Sequence, residues 1–497
     1  LLQSNQFDTT WGASSTITLT DGQNGYDGNS DAWKIESDGS TGFGQVNQSV
    51  SHSGVNTFSV YAKAGTNTAF SLRSLSATDA SANFDLSAGS VSSSGTIDAS
   101  IVSVGGDWYR CSVVFNGSNT NVYVYPNYIG SASAGFIYIQ NAQLETGMVA
   151  TDVLTSGATT AKAGVLIDLP RINFDANGEN GALLLEPSRQ QLYPYSEYSG
   201  AWTKSDWTTT DNYAISPEGV KNAFRAVSAN NSGIMYMSGT GTTGQDNTLS
   251  VYAKSNTGAN QKFRFFANGN TTTSSDFIAT TEWKRFDYPH NCTNVTAGIK
   301  GASSELSDIL FYGFQQEAGS YMTSLIPNHG TSGGVTRAAD SCTGGGSAES
   351  INSVEGVLYA EIAALTNTGG SRYIAMTDNT GNNEIVIQYN STSNRIGAYM
   401  YINGIGYTSS LGYVVTDVTY FHKVAFKWAV NDFSLWIDGV ERATDISGAT
   451  FVPNVLKRLD FGAGPGGGSL PFYGKTKQVA VFNEALLDSE LATLTTL

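Results

Sequence analysis

Charged residues are scarce in this sequence, at 14% of the chain against about 25% in an average soluble protein. Acidic residues outnumber basic ones by 42 to 26, which gives a formal net charge of −16. A protein that binds nucleic acid needs a basic face to neutralise the phosphates. We therefore expect no nucleic acid among its partners.

Cysteines, histidines and long apolar segments are scarce as well. The three cysteines (Cys111, Cys292 and Cys342) are too few for a disulfide framework, so burial of apolar side chains must stabilise the fold. The four histidines lie far apart and lack the spacing of zinc ligands. Because no run of about 18 apolar residues is present, we expect no membrane insertion.

Glycine, serine, threonine, asparagine and tyrosine take the place of the missing charged residues. Threonine and tyrosine pack well on pleated sheets, whereas glycine and asparagine suit tight turns. Apolar and polar residues alternate in several short segments, such as residues 58–63 and 109–115. This pattern predicts an all-β fold of short strands joined by many turns.

The most informative pattern is an internal repeat. Residues 58–63 read FSVYAK and residues 249–254 read LSVYAK, 191 positions later. The same offset places Trp11 on Trp202 and Gly28 on Gly219. Two further matches follow in the same order, pairing WYR (108–110) with WKR (283–285) and QLETG (143–147) with QQEAG (315–319). Matched blocks in one order indicate a duplicated domain, and the repeated tryptophans are predicted to be core or anchor residues.

The repeat and its flanking turn-rich segments divide the chain into four parts. We predict a first sandwich over residues 1–153, a hairpin connector over 154–186, a second sandwich over 187–335 and a third, unrelated domain over 336–497. Because Leu1 falls at the start of a repeat, the sequence also leads us to expect further chain before it. The predicted arrangement is a bead-like series of domains.

The repeated segments contain recognisable motifs: YSEYSGAWTKSDWTTT (195–210), SPEGVKNAFR (216–225), SVYAK, and FIYIQNAQLETG (136–147) as a last core strand. These motifs resemble the jelly-roll carbohydrate-binding-like modules of tailed-bacteriophage structural proteins. GALLLEPSRQQL (181–192) resembles the connector that introduces such a module. The resemblance implies two tandem jelly-roll β-sandwiches.

The last part of the chain contains HKVAFKWAVNDFSLWIDGV (422–440), KRLDFGAG (457–464) and FYGKTKQVAVFNEALLDSELATL (472–494). These motifs resemble the concanavalin A-like, or laminin G-like, lectin domain. The resemblance implies a concanavalin A-like β-sandwich as the third domain. The order of the three domains resembles that of phage fibre or appendage proteins.

Aromatic side chains are the candidate ligand-binding residues, because sugar rings stack their apolar faces on tyrosine and tryptophan. Leu435 and Ile437 alternate with Trp436, so Trp436 is expected to face outward, and Tyr399 and Tyr401 alternate with apolar neighbours in the same way. We predict Trp436, Tyr399 and Tyr401 as carbohydrate-binding residues. The alternative is that they pack against a neighbouring domain or subunit.

Catalytic and metal-binding patterns are weak. Glycoside hydrolysis needs a pair of carboxylates, but Glu361 and Glu384 stand alone in their predicted strands, so we predict that the protein is not an enzyme. The loop DGQNGYDGNSD (21–31) offers oxygen ligands for Ca²⁺. Its repeat at residues 212–222 loses most of these carboxylates, which favours a plain turn. We expect no cofactor and no metal ligands, with Ca²⁺ as the one open alternative.

Together these features predict a non-enzymatic protein of the virion surface, a head or tail fibre or decoration, that binds surface glycans or polysaccharide of a bacterial host. Other virion proteins and further copies of the chain are expected partners, and a trimer is one form that such an oligomer could take. Two alternatives stay open: a purely structural virion spacer or packing protein without a ligand, and a secreted bacterial polysaccharide-binding protein.

Overall fold

The computed structural model describes residues 1–76, 79–161, 170–174, 178–239, 241–303, 305–367, 370–404, 406–462 and 470–497. Antiparallel sheets dominate these residues, so the predicted all-β class is confirmed. The chain forms two compact units. One comprises Leu1–Val165 and Gln190–Thr336, and the other comprises Leu166–Arg189 and Arg337–Leu497.

The first sandwich consists of two six-stranded sheets. Its strands are β1 (Gly12–Ala13), β2 (Ile17–Gln23), β3 (Ala32–Ser37), β4 (Val46–His52), β5 (Val55–Ala64), β6 (Ala69–Ser76), β7 (Ala80–Asp85), β8 (Ser90–Ser94), β9 (Asp98–Gly105), β10 (Trp108–Asn116), β11 (Asn119–Tyr125) and β12 (Gly135–Thr146). The sheet orders are β1-β4-β11-β6-β7-β8 and β2-β3-β12-β5-β10-β9. Trp11 is buried in the core between the sheets, as predicted.

The predicted connector contributes two short strands that pair with each other, β13 (Ile172–Asn173) and β14 (Ala182–Leu185). Residues 162–169 and 175–177 of that connector lie outside the described residues. β14 also extends a sheet of the C-terminal domain, where Leu183 lies opposite Thr476. β15 (Arg189–Gln191) follows. The predicted domain boundaries at residues 153, 186 and 335 stay predictions.

The second sandwich repeats the first with fewer strands. Its strands are β16 (Thr203–Ser205), β17 (Trp207–Ala214), β18 (Ala223–Ser228), β19 (Ile234–Met237), β20 (Asp246–Ser255), β21 (Gln261–Ala267), β22 (Thr272–Thr273), β23 (Phe277–Ala279), β24 (Lys284–Asn291), β25 (Ala297–Gly301) and β26 (Asp308–Ala318). The sheet orders are β16-β19-β25-β21-β22, with β23 also pairing with β21, and β17-β18-β26-β20-β24. Two 3₁₀ helices, Ser199–Ala201 and Asn268–Asn270, complete it. Trp202 is buried in its core, as predicted.

The two sandwiches of the first unit contact each other. Val55, Val114 and Met148 of the first sandwich form a buried apolar cluster against Tyr195 of the second. The side-chain amide of Asn212 donates a hydrogen bond to the backbone carbonyl of Met148 at 2.8 Å. The two sandwiches therefore form one compact unit and are not separate beads.

The C-terminal domain is a sandwich of a seven-stranded and a five-stranded sheet, ordered β13-β14-β37-β28-β33-β34-β35 and β32-β31-β30-β29-β36. β27 (Val335–Arg337) precedes it. The remaining elements are β28 (Gly356–Ala364), β29 (Arg372–Thr377), β30 (Glu384–Tyr389), β31 (Arg395–Ile402), β32 (Gly406–Val414), β33 (His422–Ala429), β34 (Asp432–Ile437), β35 (Val440–Asp445), β36 (Arg458–Asp460), β37 (Gly474–Phe482) and the helix α1 (Asp488–Thr495). Its core includes Trp428, which is fully buried as expected for an inward-facing residue.

Candidate functional site

Trp436 lies on the seven-stranded sheet of the C-terminal domain and faces away from the main core, to which its neighbours Leu435 and Ile437 belong. It is not exposed, however, since only 7% of its surface is accessible. Leu491 of α1 and Tyr359 pack against it, and its indole N–H donates to the Ser434 hydroxyl at 3.1 Å. The expected exposure of Trp436 is wrong, because strand alternation predicts a face but not the helix that covers that face.

Tyr399 and Tyr401 lie on the outer face of the five-stranded sheet. Tyr399 is 1% exposed, and its ring meets the ring of Tyr373 edge-on at 5.7 Å. Tyr401 packs beside this cluster and is partly exposed. The expected exposure of Tyr399 is therefore also wrong, because Tyr373 and its neighbours cover the ring. Sugar binding by Trp436, Tyr399 and Tyr401 stays a prediction, and only Tyr401 is open to direct stacking.

Glu384 lies opposite Tyr401 on the same outer face. Its side chain is fully buried, and Oε2 accepts a hydrogen bond from the Tyr399 hydroxyl at 3.3 Å. Burial raises the pKa of Glu384 to about 7, and the hydrogen bond from Tyr399 opposes this rise. Its Oε1 accepts no hydrogen bond from the part of the chain that the structure describes. This carboxyl is thus a buried group beneath the tyrosines that is protonated more readily than an exposed glutamate.

A second acidic residue of this sheet, Asp460, is 1% exposed and is paired with Arg458, whose Nε lies 2.6 Å from Oδ2. The backbone N–H of Gly344 donates to its Oδ1 at 2.8 Å. Neither Asp460 nor Glu384 is exposed enough to touch a substrate in this conformation. Both side chains have structural roles here.

In the first sandwich, three aromatic residues pack on the outer face of the β2-β3-β12-β5-β10-β9 sheet. The ring of Tyr26 stacks on Tyr61 with centroids 3.8 Å apart and planes 5° apart. Trp108 meets the ring of Tyr26 edge-on at 6.5 Å. Tyr61 and Trp108 are buried, and the Tyr26 ring packs over them.

The acidic loop beside this face, residues 21–31, is held by side-chain amides. Gln140 is fully buried and donates from Nε2 to Asp31 at 2.6 Å and to Asp27 at 3.1 Å. Its Oε1 accepts the backbone N–H of Tyr26 at 2.9 Å. Asn5 donates to Asp31 at 3.0 Å. These amides hydrogen-bond to Asp27 and Asp31, two of the three aspartates that the sequence offered for Ca²⁺.

The second sandwich has a different polar cluster at the equivalent turn. Asn222 donates from one nitrogen to Glu197 at 3.3 Å and to Glu218 at 3.2 Å. Glu197 is buried, and burial raises its pKa to about 8, with the charge of Glu218 adding to the rise. Burial and both carboxylates also raise the pKa of Tyr312. The side-chain amide of Asn222 thus donates hydrogen bonds to both carboxyl groups.

The aromatic residues of that sandwich are more accessible than those of the first. Tyr252 and Trp283 occupy the repeat positions of Tyr61 and Trp108 but are partly exposed. The Trp283 indole N–H donates to the backbone carbonyl of Ile215 at 3.2 Å. The repeat predicts Trp283, like Trp108, as a core or anchor residue, and its partial exposure shows that it is not a core residue. The repeat could have predicted this exposure, because residue 217 is proline at the position where the first sandwich has Tyr26.

No cluster of three or more histidine, cysteine, aspartate or glutamate side chains suited to a metal ion occurs among the described residues. Within the same residues, no helix is long and apolar enough to cross a membrane.

One family model matches the chain. Residues 359–492 match the laminin G type model of the concanavalin A-like lectin/glucanases superfamily. The match lies within the five- and seven-stranded sheets described above, and the C-terminal domain is concanavalin A-like. A search of curated proteins gives no match.

Several solved structures are similar to parts of the chain. A sialidase CBM40 of Ruminococcus gnavus, bound to α2,3-sialyllactose, matches 31% of this chain and 96% of its own at 15% identity and a TM-score of 0.26. The CBM22-1–CBM22-2 tandem domain of Paenibacillus barcinonensis Xyn10C matches 63% and 94% at 11% identity and a TM-score of 0.23. Domains LG4-5 of the mouse laminin α1 chain match 64% and 96% at 7% identity and a TM-score of 0.21. Such low scores do not transfer a ligand to this chain.

Proposed function

We propose that this protein is a glycan-binding protein without catalytic activity. The observation that supports it most is the domain composition: a concanavalin A-like domain, matched over residues 359–492, follows two repeated β-sandwiches. The outer face of the five-stranded sheet carries tyrosine rings beside the carboxyl group of Glu384. Sugars bind to such surfaces because their ring faces are apolar and their edges carry hydroxyl groups.

We also propose that the protein is a surface fibre or decoration of a tailed-phage virion, where it binds glycans or polysaccharide of the bacterial host. The resemblance of the repeated motifs to phage modules supports this part of the proposal. Several weak sites on one particle bind together at high effective concentration. A repeated sandwich in a multi-copy fibre suits such multivalent adhesion.

A binding experiment on the full chain tests the glycan-binding part. Purified protein is applied to an array of neutral and acidic glycans and to bacterial surface polysaccharides, with the heat-denatured chain as a control. We expect binding to at least one glycan class by the folded chain alone. Loss of all glycan binding under multivalent display would contradict the proposal.

Localisation tests the virion part separately. Antibodies against the purified chain should label the surface of intact phage particles in electron micrographs of the source culture. Label confined to the culture medium, with a leader peptide in the complete gene, would instead indicate a secreted bacterial protein.

A further inference from the structure

The two sandwiches share one backbone turn but differ in the side chain that the turn presents. Gly28 and Gly219 have nearly the same left-handed φ, 85° and 84°. In both turns the glycine N–H donates a hydrogen bond to the backbone carbonyl three residues earlier. Two residues before this glycine, the first sandwich has Tyr26 and the second has Pro217. The turn is therefore conserved while its aromatic ring is not.

In the first sandwich, the Tyr26 ring occupies the position of a stacked ligand. It lies nearly parallel to Tyr61, with ring centroids 3.8 Å apart, and covers one face of that ring. The Arg110 guanidinium lies 5.5 Å from the centre of the Tyr61 ring. The site of this sandwich is thus filled by its own chain.

In the second sandwich, the tyrosine and its arginine are retained. The Arg285 guanidinium lies 5.4 Å from the centre of the Tyr252 ring. Hydrogen bonds to the Ser250 hydroxyl at 2.9 Å and to the Thr323 carbonyl at 2.6 Å hold this guanidinium in place. The Tyr252 ring therefore has the same support as its counterpart Tyr61. Among the described residues, no ring is stacked parallel on it as Tyr26 is on Tyr61.

A second tyrosine and a carboxylate lie on one side of this ring. Tyr312 lies across the strand pair from Tyr252, with ring centres 5.9 Å apart. Glu218 follows Pro217 directly and is exposed, and its charge contributes to the raised pKa of Tyr312. An acceptor carboxylate thus lies beside this tyrosine pair, and a carboxylate next to an aromatic surface suits a ring with hydroxyl groups.

We propose that a neutral pyranose sugar stacks on Tyr252 beside Trp283, in the position that Tyr26 occupies in the first sandwich. Glu218 accepts hydrogen bonds from its hydroxyl groups. The Glu218 carboxylate and the net charge of −16 disfavour sialic and uronic acids. This inference deepens the proposed function and rests on it, because it specifies one site and one ligand class for glycan binding.

Calorimetric titration of the full chain with the best neutral glycan tests this site. Tyr252→Ala removes the stacking surface, and Pro217→Tyr introduces the covering ring of the first sandwich. We expect each variant to lose one binding site per chain, or at least about ten-fold in affinity, since one stacked ring contributes about 1–3 kcal/mol by analogy with base stacking. Tyr252→Phe keeps the ring and should keep binding, which separates stacking from a folding defect.

Tyr61→Ala is the matched control in the first sandwich, where Tyr26 already covers the tyrosine, and it should leave the stoichiometry unchanged. Unaltered binding in both Tyr252→Ala and Pro217→Tyr would overturn this site while the proposed function stands. A preference for anionic glycans that Tyr252→Ala abolishes would overturn the ligand class. Absence of all glycan binding by the unmodified chain would remove the proposed function itself.

Discussion

The side-chain carbonyl of Gln143 accepts the backbone N–H of Leu154 at 2.8 Å, although Leu154 already lies beyond the last strand of the first sandwich. Two residues after Gln143, Glu145 accepts the backbone N–H and the hydroxyl of Thr151 at 2.9 and 2.6 Å. These bonds fix the segment that leaves β12. The repeated QLETG motif therefore has a structural role.

The second sandwich has an equivalent set of hydrogen bonds in a buried position, and we call each set a clamp. Gln315 accepts the backbone N–H of Ile326 at 2.7 Å, and the fully buried Glu317 accepts both the N–H and the hydroxyl of Thr323. Hydrogen bonds to a charged group contribute more than neutral ones, and buried donors left without a partner destabilise further. We therefore expect the clamp of the second sandwich to contribute more to the free energy of unfolding than the clamp of the first.

Glu317→Ala should lower the free energy of unfolding by about 3 kcal/mol, because the buried Thr323 groups lose their acceptor. Glu145→Ala is the matched control at the more exposed clamp, and we expect a loss of about 1 kcal/mol there. Urea unfolding followed by tryptophan fluorescence measures both. Equal losses in the two variants would contradict the difference in burial as the cause.

The stability of the second sandwich should depend on pH through Glu197. Burial raises the pKa of this carboxyl from 4.5 to about 8 in the folded chain, so the folded state holds a proton that the unfolded state releases. The free energy of unfolding therefore falls as the pH rises from about 4.5 to about 8. His329 acts in the opposite direction, because burial lowers its pKa from 6.5 to about 4 and stability rises across that range.

Urea unfolding of the unmodified chain and of Glu197→Gln at about pH 7 and about pH 8.5 measures the Glu197 effect, because Glu384 and the histidines titrate alike in both proteins. We expect the unmodified chain to be less stable at the higher pH. Glu197→Gln keeps the shape and the neutral charge of the protonated acid, so it should remove most of this dependence and be more stable at the higher pH. An unchanged pH dependence in Glu197→Gln would locate the titrating group elsewhere.

The sequence predicted local features of the fold well, because they depend on neighbouring residues. The pair Asp438-Gly439 is typical of a two-residue hairpin, and both residues have positive φ between β34 and β35, as such a turn requires. The repeat likewise predicted that Gly28 and Gly219 occupy equivalent turns. Alternation correctly separated Trp436 from the core that contains Leu435.

The sequence could not predict contacts between distant segments. Leu491 covers Trp436 and lies on α1. The alternation of residues within β34 cannot predict that a helix packs there. In the same way, Glu197 accepts a hydrogen bond from Asn222, which lies 25 residues later in the chain. A local sequence pattern cannot predict such a contact. Burial, and with it the pKa of a carboxyl or the accessibility of a ring, depends on such contacts.

Trp436→Ala should therefore act on stability first. Removal of a buried tryptophan typically lowers the free energy of unfolding by about 3–5 kcal/mol, because α1 and Tyr359 lose their packing partner. Tyr401→Ala is the partly exposed counterpart on the other sheet, and we expect a loss of about 1 kcal/mol. Thermal unfolding compares the two variants. If Trp436→Ala is as stable as the unmodified chain but binds glycans more weakly, Trp436 is a ligand-binding residue after all.

An ion-pair cluster of the C-terminal unit offers the last test. The buried carboxylate of Glu186 accepts from Arg171 at 2.7 Å and from Arg337 at 2.9 Å. Arg171 also pairs with Asp340. Because Glu186 is buried and contacts two cations, its loss is more costly than the loss of a surface pair. The cluster therefore joins the segment that carries β14 to the start of the C-terminal domain.

Glu186→Gln should destabilise the C-terminal unit by about 3 kcal/mol, because it removes the charge that Arg171 and Arg337 share. Glu361→Gln is the control, since Glu361 pairs with Lys477 at 3.0 Å in a more exposed position and exposed pairs contribute about 0–1 kcal/mol. Denaturation at low and high salt separates the two variants: salt should weaken the exposed pair and leave the loss at Glu186 nearly unchanged. A loss below about 1 kcal/mol in Glu186→Gln would mean that Asp340 and water compensate the arginines, and β14 would then depend mainly on its backbone pairing with β13 and β37.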